Sequence, residues 1–571
     1  MAVRKSEAAA AILPQRLCSH VHRFILAGHR YQPPSPPVPQ LGKPLCADAQ
    51  IKHGELAPEC EASARRWVLV ASIIASSMAF IDGTVVNVAL PAIQSALKAD
   101  AFQAQWVVES YALFLASLLL VGGALGDRFG RRRVFSIGVA LFGLASAACA
   151  MAGSVHELIA ARAVQGVGAA LLVPGSLSMI SAAFPESERG KAIGTWSGFS
   201  GVTAALGPVL GGYLVDNYSW TWAFLINLPF AAIVLVLAWW RLPESRSKRA
   251  GTSLDVVGAV LATAALGGIV YALIEAPTQG WNALPVLVSL ALGIAATIAF
   301  FVAESRSPAP MLPLRLFRSR NFSGANLLTL WLYAALGGGL FFFPLNLIQV
   351  HGYSATAAGA AFLPFIAIMF ALSGWAGHLV DRFGARLPLV VGPLIAGVGF
   401  AMFAWPGTAG GMADYWTTFF PAVVVLGLGM TVTVAPLTTT VMGAVDDDMA
   451  GVASGVNNAV SRTAALLAIA VFGVVIVLVF EPMLLERLRA AGASAQTLAF
   501  MQAQVNKLAA ATPPEGLGEE AARHVADALA YASVAGFRWV MGLSALLAWL
   551  SALGAWLMIE RRTVVSKEAK A

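Results

Sequence analysis

The sequence predicts an all-α polytopic membrane protein with fourteen transmembrane helices, and three observations predict it. Hydrophobic residues make up 58% of the 571-residue chain and charged residues only 12%, more apolar surface than a soluble protein of this length could hide. The charges fall in short islands between apolar runs of about 20 residues, the length of helix that crosses hydrocarbon. Those runs are continuous rather than alternating, which argues against the strands of a membrane barrel.

Residues 1–65 stand apart. They hold a proline-rich piece, "YQPPSPPVPQ", scattered basic residues and Cys18, Cys46 and Cys60, three of four cysteines. No apolar stretch there forms a secretory core, so the first span is expected to act as an uncleaved signal-anchor. Four cysteines give no disulfide framework. The segment "CSHVH" has ligand-capable side chains but no convincing metal-site spacing, and no metal site is assigned. A disordered extension or a start codon placed too early fits this segment best.

The spans then follow at about 67–92, 104–125, 134–152, 157–183, 192–214, 221–240, 254–275, 284–303, 323–349, 356–379, 388–405, 415–441, 452–480 and 535–558. One long connection remains, 481–534, mixed in charge and alanine-rich, with helical and amphipathic character. Basic residues load alternate loops: Arg128 to Arg133, Arg189 with Lys191, Arg241 to Arg249, Arg306 to Arg320, Arg382 with Arg386, and the tail from Arg561. The opposite short loops hold little beyond Lys98. By the positive-inside rule both termini face the cytoplasm of a multi-pass protein in the cytoplasmic (inner) membrane, with 481–534 outside. Acidic Asp446 to Asp448 run against this bias, but acids weigh little in it. The net charge of +7 is therefore mostly topological, and no nucleic-acid partner is implied.

A repeat divides the chain. "GGALGDRFGRRR" at 122–133 has a weaker copy in "GHLVDRFGAR" at 377–386. Gly123 falls on Gly377, Asp127 on Asp381, Arg128 on Arg382, Gly130 on Gly384 and Arg132 on Arg386, while Arg131 meets Ala385. Each loop joins the second and third spans of a six-span block once spans seven and eight are set aside. The expected organisation is an extension at 1–65, a six-helix bundle at 66–241 and a linker with two helices at 242–304. A second six-helix bundle follows at 305–560, with an external loop at 481–534 and a tail at 561–571. Repeated halves are the build of alternating-access carriers, which bind substrate near the midplane. In the loop, glycines permit a tight turn and arginines hold an anionic membrane face. Asp127 is expected near the start of the third span, favouring that helix N-terminus and pairing with arginine. The loop is then either a conformational latch or simply a tight basic connector.

The pattern G-x-x-x-D-R-x-G-R-R resembles the signature loop of the major facilitator superfamily, and the resemblance covers about residues 66–560. Fourteen spans look like its drug:proton antiporter branch, two six-helix bundles with two additional central helices. "FIDGTVVNVALP" at 80–91 resembles that branch's first-span motif through Asp82, Thr84, Asn87 and Pro91. "LIAARAVQGVGAA" at 158–170 resembles the fourth-span motif through Arg162, Gln165, Gly166 and Gly168. "GVTAALGPVLGG" at 201–212 resembles the fifth-span antiporter motif through Gly201, Gly207, Pro208, Gly211 and Gly212. One departure falls in span thirteen, where Ala464 and Ala465 occupy places that usually hold glycine. The resemblance implies a proton-coupled antiporter for multidrug efflux and antibiotic resistance. It would export hydrophobic or amphipathic small molecules, run on the proton gradient without a cofactor, and carry out no enzymatic reaction. A periplasmic adaptor protein is left open. A dedicated metabolite or lipid exporter of the same fold, or a membrane sensor that no longer transports, are the alternatives. No G-x-x-x-x-G-K-[ST] loop supplies an ATP engine.

Ionisable residues inside spans are functional candidates by default. Asp82, Glu109 and Arg162 all fall in the outer half of the first bundle, where they are expected to face a common cavity. A desolvated carboxylate there takes up and releases protons near neutrality, and an arginine nearby opposes its protonation. The resemblance gives Arg162 a proton-coupling role and Asp82 a substrate or proton role; Glu109 is added from its place in the span. The plainer readings are a helix–helix hydrogen bond for Asp82, a snorkelling side chain for Arg162 and an interfacial position for Glu109. Tyr111, Trp196, Asn227, Asn326, Tyr333 and Gln349 are further cavity candidates, and Glu275 reads as solvated.

Overall fold

The computed structural model describes residues 58–246, 255–408, 411–446 and 449–561. The cysteines at 18 and 46, the "CSHVH" segment, Arg249, Asp447, Asp448 and the tail beyond Arg561 lie outside the described residues. Among the described residues, fourteen helices are long and apolar enough to cross a membrane. In the first half they are α1 Ala64–Leu97, α2 Ala101–Phe129, α3 Arg131–Ala150, α4 Val155–Ala183, α5 Glu188–Asn217 and α6 Trp222–Trp240. Two more follow, α7 Val256–Gln279 and α8 Leu284–Arg306. The second half contains α9 Arg320–Gln349, α10 Ala355–Gly377, α11 Arg386–Phe403, α12 Phe420–Gly443, α13 Gly451–Ala490 and α14 Glu519–Met558.

The starts are chemically marked. Asp100 opens α2 with a capping box, accepting the Gln103 amide at 2.7 Å while the Gln103 side chain accepts the Asp100 amide at 3.1 Å. Ser154, Asp255, Ser319 and Ser354 cap α4, α7, α9 and α10 with a side-chain oxygen alone, each satisfying an orphan amide of the first turn. Small residues set the packing within the first half. Gly122 of α2 sits against the Ala170 carbonyl of α4, and Gly166 of α4 against the Tyr111 carbonyl of α2. A Cβ at either position would enter backbone, so the close approach requires glycine.

The helices form two six-helix bundles, α1–α6 and α9–α14. The two additional helices are central in the sequence but peripheral in space. α7 and α8 pack tightly on each other through Gly268 and Gly293; α7 also packs on α2 and α13, while most of α8 is exposed for lipid. The connection expected at 481–534 is largely helix. α13 runs on to Ala490, a short helix spans Ala495–Ala503, a 3-10 turn spans Val505–Ala510, and α14 already starts at Glu519. Leu484, Leu488, Met501, Val525 and Leu529 are buried there in one cluster with Phe102 and Leu113 of α2 and Val270 and Ile274 of α7, which anchors the extension on the membrane helices.

The hydrogen bonds between the halves lie at one end. The α2–α3 and α10–α11 turns lie at what is here termed the motif-loop end, and the hydrogen bonds joining the halves gather at the opposite, far end. There Gln349 donates to Gln94 at 2.9 Å and Gln105 donates to the Ile469 carbonyl at 3.1 Å. Asp216 accepts from the Ala355 amide at 3.1 Å and from the Thr356 amide and hydroxyl at 2.8 and 2.6 Å. Toward the motif-loop end, Gly190, Gly194, Gly198 and Gly201 of α5 and Gly374 and Gly377 of α10 have nothing within 4 Å of where a Cβ would stand. The cleft between the halves therefore opens at the motif-loop end and is sealed at the far end.

Candidate functional site

Four helices bring polar side chains to one buried point in the first half. α1 supplies Asp82, α3 Ser146 and Cys149, α4 Arg162 and Gln165, and α6 Asn227. Arg162 and Gln165 share a face of α4 because they are three residues apart. Arg162 donates one Nη to Asp82 Oδ2 at 2.5 Å and to Gln165 Oε1 at 2.7 Å, and its Nε to the Val107 carbonyl of α2 at 3.1 Å. The second carboxylate oxygen of Asp82 accepts from Gln165 Nε2 at 2.8 Å and from Asn227 Nδ2 at 3.1 Å. Both amides also donate to the Ser146 hydroxyl, at 2.8 and 3.3 Å. Cys149 leans on Gln165 Oε1 at 3.6 Å. The Tyr111 ring lies 4.2 Å from the guanidinium carbon, a cation–π contact.

Asp82 is 0% and Arg162 1% exposed. The arginine does not snorkel; it is enclosed and paired. A buried ion pair repays its desolvation only when the remaining hydrogen-bonding positions are also satisfied, and here two amides and a backbone carbonyl do that. Asp82 makes the helix–helix hydrogen bonds of the plainer reading and the ion pair of the sharper one.

Glu109 does not join this group. It lies one turn beyond Gln105 on α2, on the face that Gln105 presents to α13. It is fully buried and neither carboxylate oxygen finds a well-aligned hydrogen-bond partner. The common cavity expected for Asp82, Glu109 and Arg162 is thus corrected to two places, because α2 turns Tyr111 to one side and Glu109 to the other. Glu275 is also corrected: it is half-buried and accepts the Trp106 indole N–H at 3.1 Å. Among the other cavity candidates, Tyr111 and Asn227 belong to the buried network, and Trp196 donates to Ser76 at 2.9 Å. Asn326 accepts from Asn457 within the second half. Tyr333 is half-buried. Gln349 borders a small pocket of about 70 Å³ at the far end, lined by Phe341, Phe342, Phe480 and Phe537.

The first motif loop is built on a glycine. Gly130 ends α2 with φ 112°, a conformation open to glycine, and α3 starts at the next residue. Asp127 is consequently not at the start of α3 but in the last turn of α2, where it pairs with Arg131 at 2.7 Å. The anion at the α3 N-terminus is Glu244, which sequence reasoning missed. It accepts the Arg132 and Arg133 amides at 3.0 and 3.3 Å, a favourable place for a carboxylate. Arg132 in turn donates to the Leu242 carbonyl at 3.0 Å, tying the loop to the end of α6. Arg128 lies over Phe129, and a Cβ on Gly123 would stand 3.6 Å from Pro174 of α4.

The second loop keeps part of this plan. Gly384 turns the chain with φ 74°, Arg382 lies over Phe383, and Arg386 donates to the Trp556 carbonyl at the end of α14. Arg386 thus repeats the role of Arg132 toward the last helix of its own half. Asp381 is exposed, and Ala385 stands where Arg131 pairs in the first loop. Glu244→Ala is expected to lower thermal stability by about 1–2 kcal/mol, since it removes a cap shared by two amides. Unfolding in detergent, with faster hydrogen exchange at Arg132 and Arg133, is the check; unchanged exchange there would contradict the capping role.

The antiporter motif divides its residues between two neighbours. Gly207 and Gly211 face Thr84 and Val85 of α1. Gly212 faces the Ala355 and Thr356 backbone of α10, and the Pro208 carbonyl lies against Gly359. Two of its residues therefore form the far-end seam, while Gly201 looks into open space.

The sequence model of the Major Facilitator Superfamily matches residues 72–469. The tetracenomycin C resistance and export protein of Streptomyces glaucescens is 36% identical over 413 residues, covering 72% of this chain and 76% of that protein. The multidrug resistance protein Stp of Mycobacterium tuberculosis is 37% identical over 414 residues, covering 72% and 75%. Among solved structures, an inward-facing, occupied bacterial homolog of the human lysosomal transporter Spinster matches with TM-score 0.58 at 19% identity, covering 87% of this chain and 97% of that one. A D-xylose–proton symporter matches with TM-score 0.54 at 14% identity, covering 87% and 98%. These structures share the fold. With most of the chain matched and fourteen membrane helices in two repeated halves, this protein belongs to the Major Facilitator Superfamily of membrane transporters.

Proposed function

We propose that the protein is a proton-coupled antiporter that exports hydrophobic or amphipathic small molecules across the cytoplasmic membrane, with its motif-loop end and both termini in the cytoplasm. The observation that carries this reading is the Asp82–Arg162 pair, enclosed within the first half while the bonds between halves gather at the far end. A proton reaches Asp82 only if the helices around it shift, and neutralising that carboxylate releases Arg162 from its partner. Proton uptake is in this way linked to helix rearrangement. The basic turns at the motif-loop end support its cytoplasmic placement. The relatives, a tetracenomycin C resistance and export protein and a multidrug resistance protein, support an organic, toxic cargo.

The test is reconstitution in vesicles with an imposed proton gradient and a panel of amphipathic fluorescent solutes. Gradient-dependent movement of several solutes, with proton flux triggered by adding them, is expected. Movement of a single solute would favour a dedicated exporter instead. A panel that neither moves nor alters proton flux would overturn the proposal.

Glu109 offers a second protonatable group, buried between the halves. Glu109→Gln is expected to reduce gradient-driven export by about tenfold or more while leaving solute exchange in the absence of a gradient intact. Equal loss in both assays would instead assign Glu109 a structural role.

A further inference from the structure

Arg462 lies on α13, eleven residues after Gly451, or about 17 Å along the helix at 1.5 Å per residue. Two contacts fix the face it occupies. A Cβ on Gly455 would stand 3.3 Å from Leu120 of α2, and the Ile469 carbonyl accepts from Gln105 of α2. Positions 455, 462 and 469 are seven apart and share one stripe of the helix. Arg462 therefore points across the seam toward α2, not toward lipid.

Exposure along α13 changes at this point. Residues 451, 452 and 458 are exposed, Arg462 is half-buried, and 464, 466 and 468–470 are buried. Arg462 thus stands where the cleft open at the motif-loop end reaches its floor. Among the described residues no hydrogen bond or ion pair engages its guanidinium. The acids of the neighbouring helices do not balance it. Asp82 of α1 is held by Arg162; Glu275 of α7 accepts from Trp106, Thr278 and Gln279. Glu109 of α2 lies nearer the sealed end and makes no ion pair.

A permanent positive charge in the middle of a membrane protein is unfavourable without a counter-charge, and arginine keeps its charge whatever its surroundings. Its planar fork matches the two oxygens of a carboxylate or sulfonate. Resting on the exporter reading above, we infer that Arg462 is the anion-recognition point of the substrate cleft, selecting amphipathic molecules that carry a carboxylate, phenolate or sulfonate on an aromatic body.

The experiment uses the full-length protein and two probes with one ring system, 1-anilinonaphthalene-8-sulfonate and its neutral relative N-phenyl-1-naphthylamine. Equilibrium fluorescence titration in detergent measures binding, and gradient-driven accumulation in vesicles measures transport. Arg462→Gln is expected to weaken binding of the sulfonate by about tenfold or more, the worth of one charged hydrogen-bonded pair, while binding of the neutral probe stays within about twofold. Arg462→Lys, which keeps the charge and loses the fork, should fall between. Equal loss for both probes, or no loss for the sulfonate, would overturn the inference. So would a change confined to the proton dependence of transport. If the wild type binds the sulfonate through Arg462 but moves neither probe, the exporter reading fails and the anion site stands. If both probes move and Arg462→Gln treats them alike, the anion site fails and export stands.

Discussion

Replacing Arg162 with alanine is expected to abolish gradient-driven transport and to lower the protein's stability at the same time. The side chain is 1% exposed and its partner Asp82 0%, so its removal strands a carboxylate in the core of the first half. Breaking one side of a buried pair destabilises by about 3–5 kcal/mol because the remaining charge is left uncompensated. Gln165 and Asn227 still donate to Asp82 Oδ1, at 2.8 and 3.1 Å, which keeps the loss toward the lower end. A double variant separates the two effects. Arg162→Ala with Asp82→Asn removes both charges, so its melting temperature should recover most of the loss. Transport should stay at the level of empty vesicles, because no group remains to exchange a proton for a released arginine. Melting in detergent and proton-driven uptake in vesicles read the two quantities. Transport by the double variant above the empty-vesicle level would remove the pair from the coupling mechanism.

The membrane helices were legible because apolar runs of spanning length leave a chain few alternatives, and Asp82 and Arg162 stood out as charges within such runs. That they pair was not legible, since it depends on how α1 and α4 cross. Ser146, Cys149 and Asn227 carried weaker signals still: small or neutral polar residues are common in membrane helices, and nothing in their spacing marks a shared target. Periodicity does place Gln105 and Glu109 on one face of α2, but it cannot say which helix that face meets. Asp127 shows a different limit. An apolar run ends several residues before the helix does, so the sequence ended α2 too early and assigned the aspartate to the connection before α3. The helix α2 in fact continues to Phe129, and the acid that serves α3 is Glu244, more than a hundred residues later in the chain. Repeats fared better. The alignment of Arg132 on Arg386 holds in space, each arginine reaching a carbonyl at the end of the last helix of its own half.

Gly212→Val is expected to hold the far end open and to reduce transport by about a hundredfold. The reason is steric and lies in the seam itself. A Cβ on Gly212 would press into the carbonyl group of Ala355 and into the Cα of Thr356. Both obstacles are backbone within helices, so neither yields by a side-chain rotation, and closing the seam would require α5 and α10 to move apart. That separation also breaks the three bonds from Ala355 and Thr356 to Asp216. Moving a two-state equilibrium from 1:99 to 99:1 takes about 5.5 kcal/mol, and a branched side chain driven into backbone at two places exceeds the few kcal/mol that ordinarily separate such states. A cysteine placed at Gln349 reports the outcome, because in the closed seam that side chain bonds to Gln94 between the halves. In a background with the native cysteines replaced by serine, an impermeant maleimide added from the far side should label Gln349→Cys slowly in the parent. Labelling should be fast when Gly212→Val is added. Gly212→Ala, with a single methyl to place, should give intermediate labelling and partial transport. Binding of a transported solute in detergent distinguishes a locked protein from an unfolded one: the locked variant still binds. Slow labelling with normal transport in Gly212→Val would show that the halves exchange without opening between α5 and α10, and the alternating seam would have to be sought at α2 and α13.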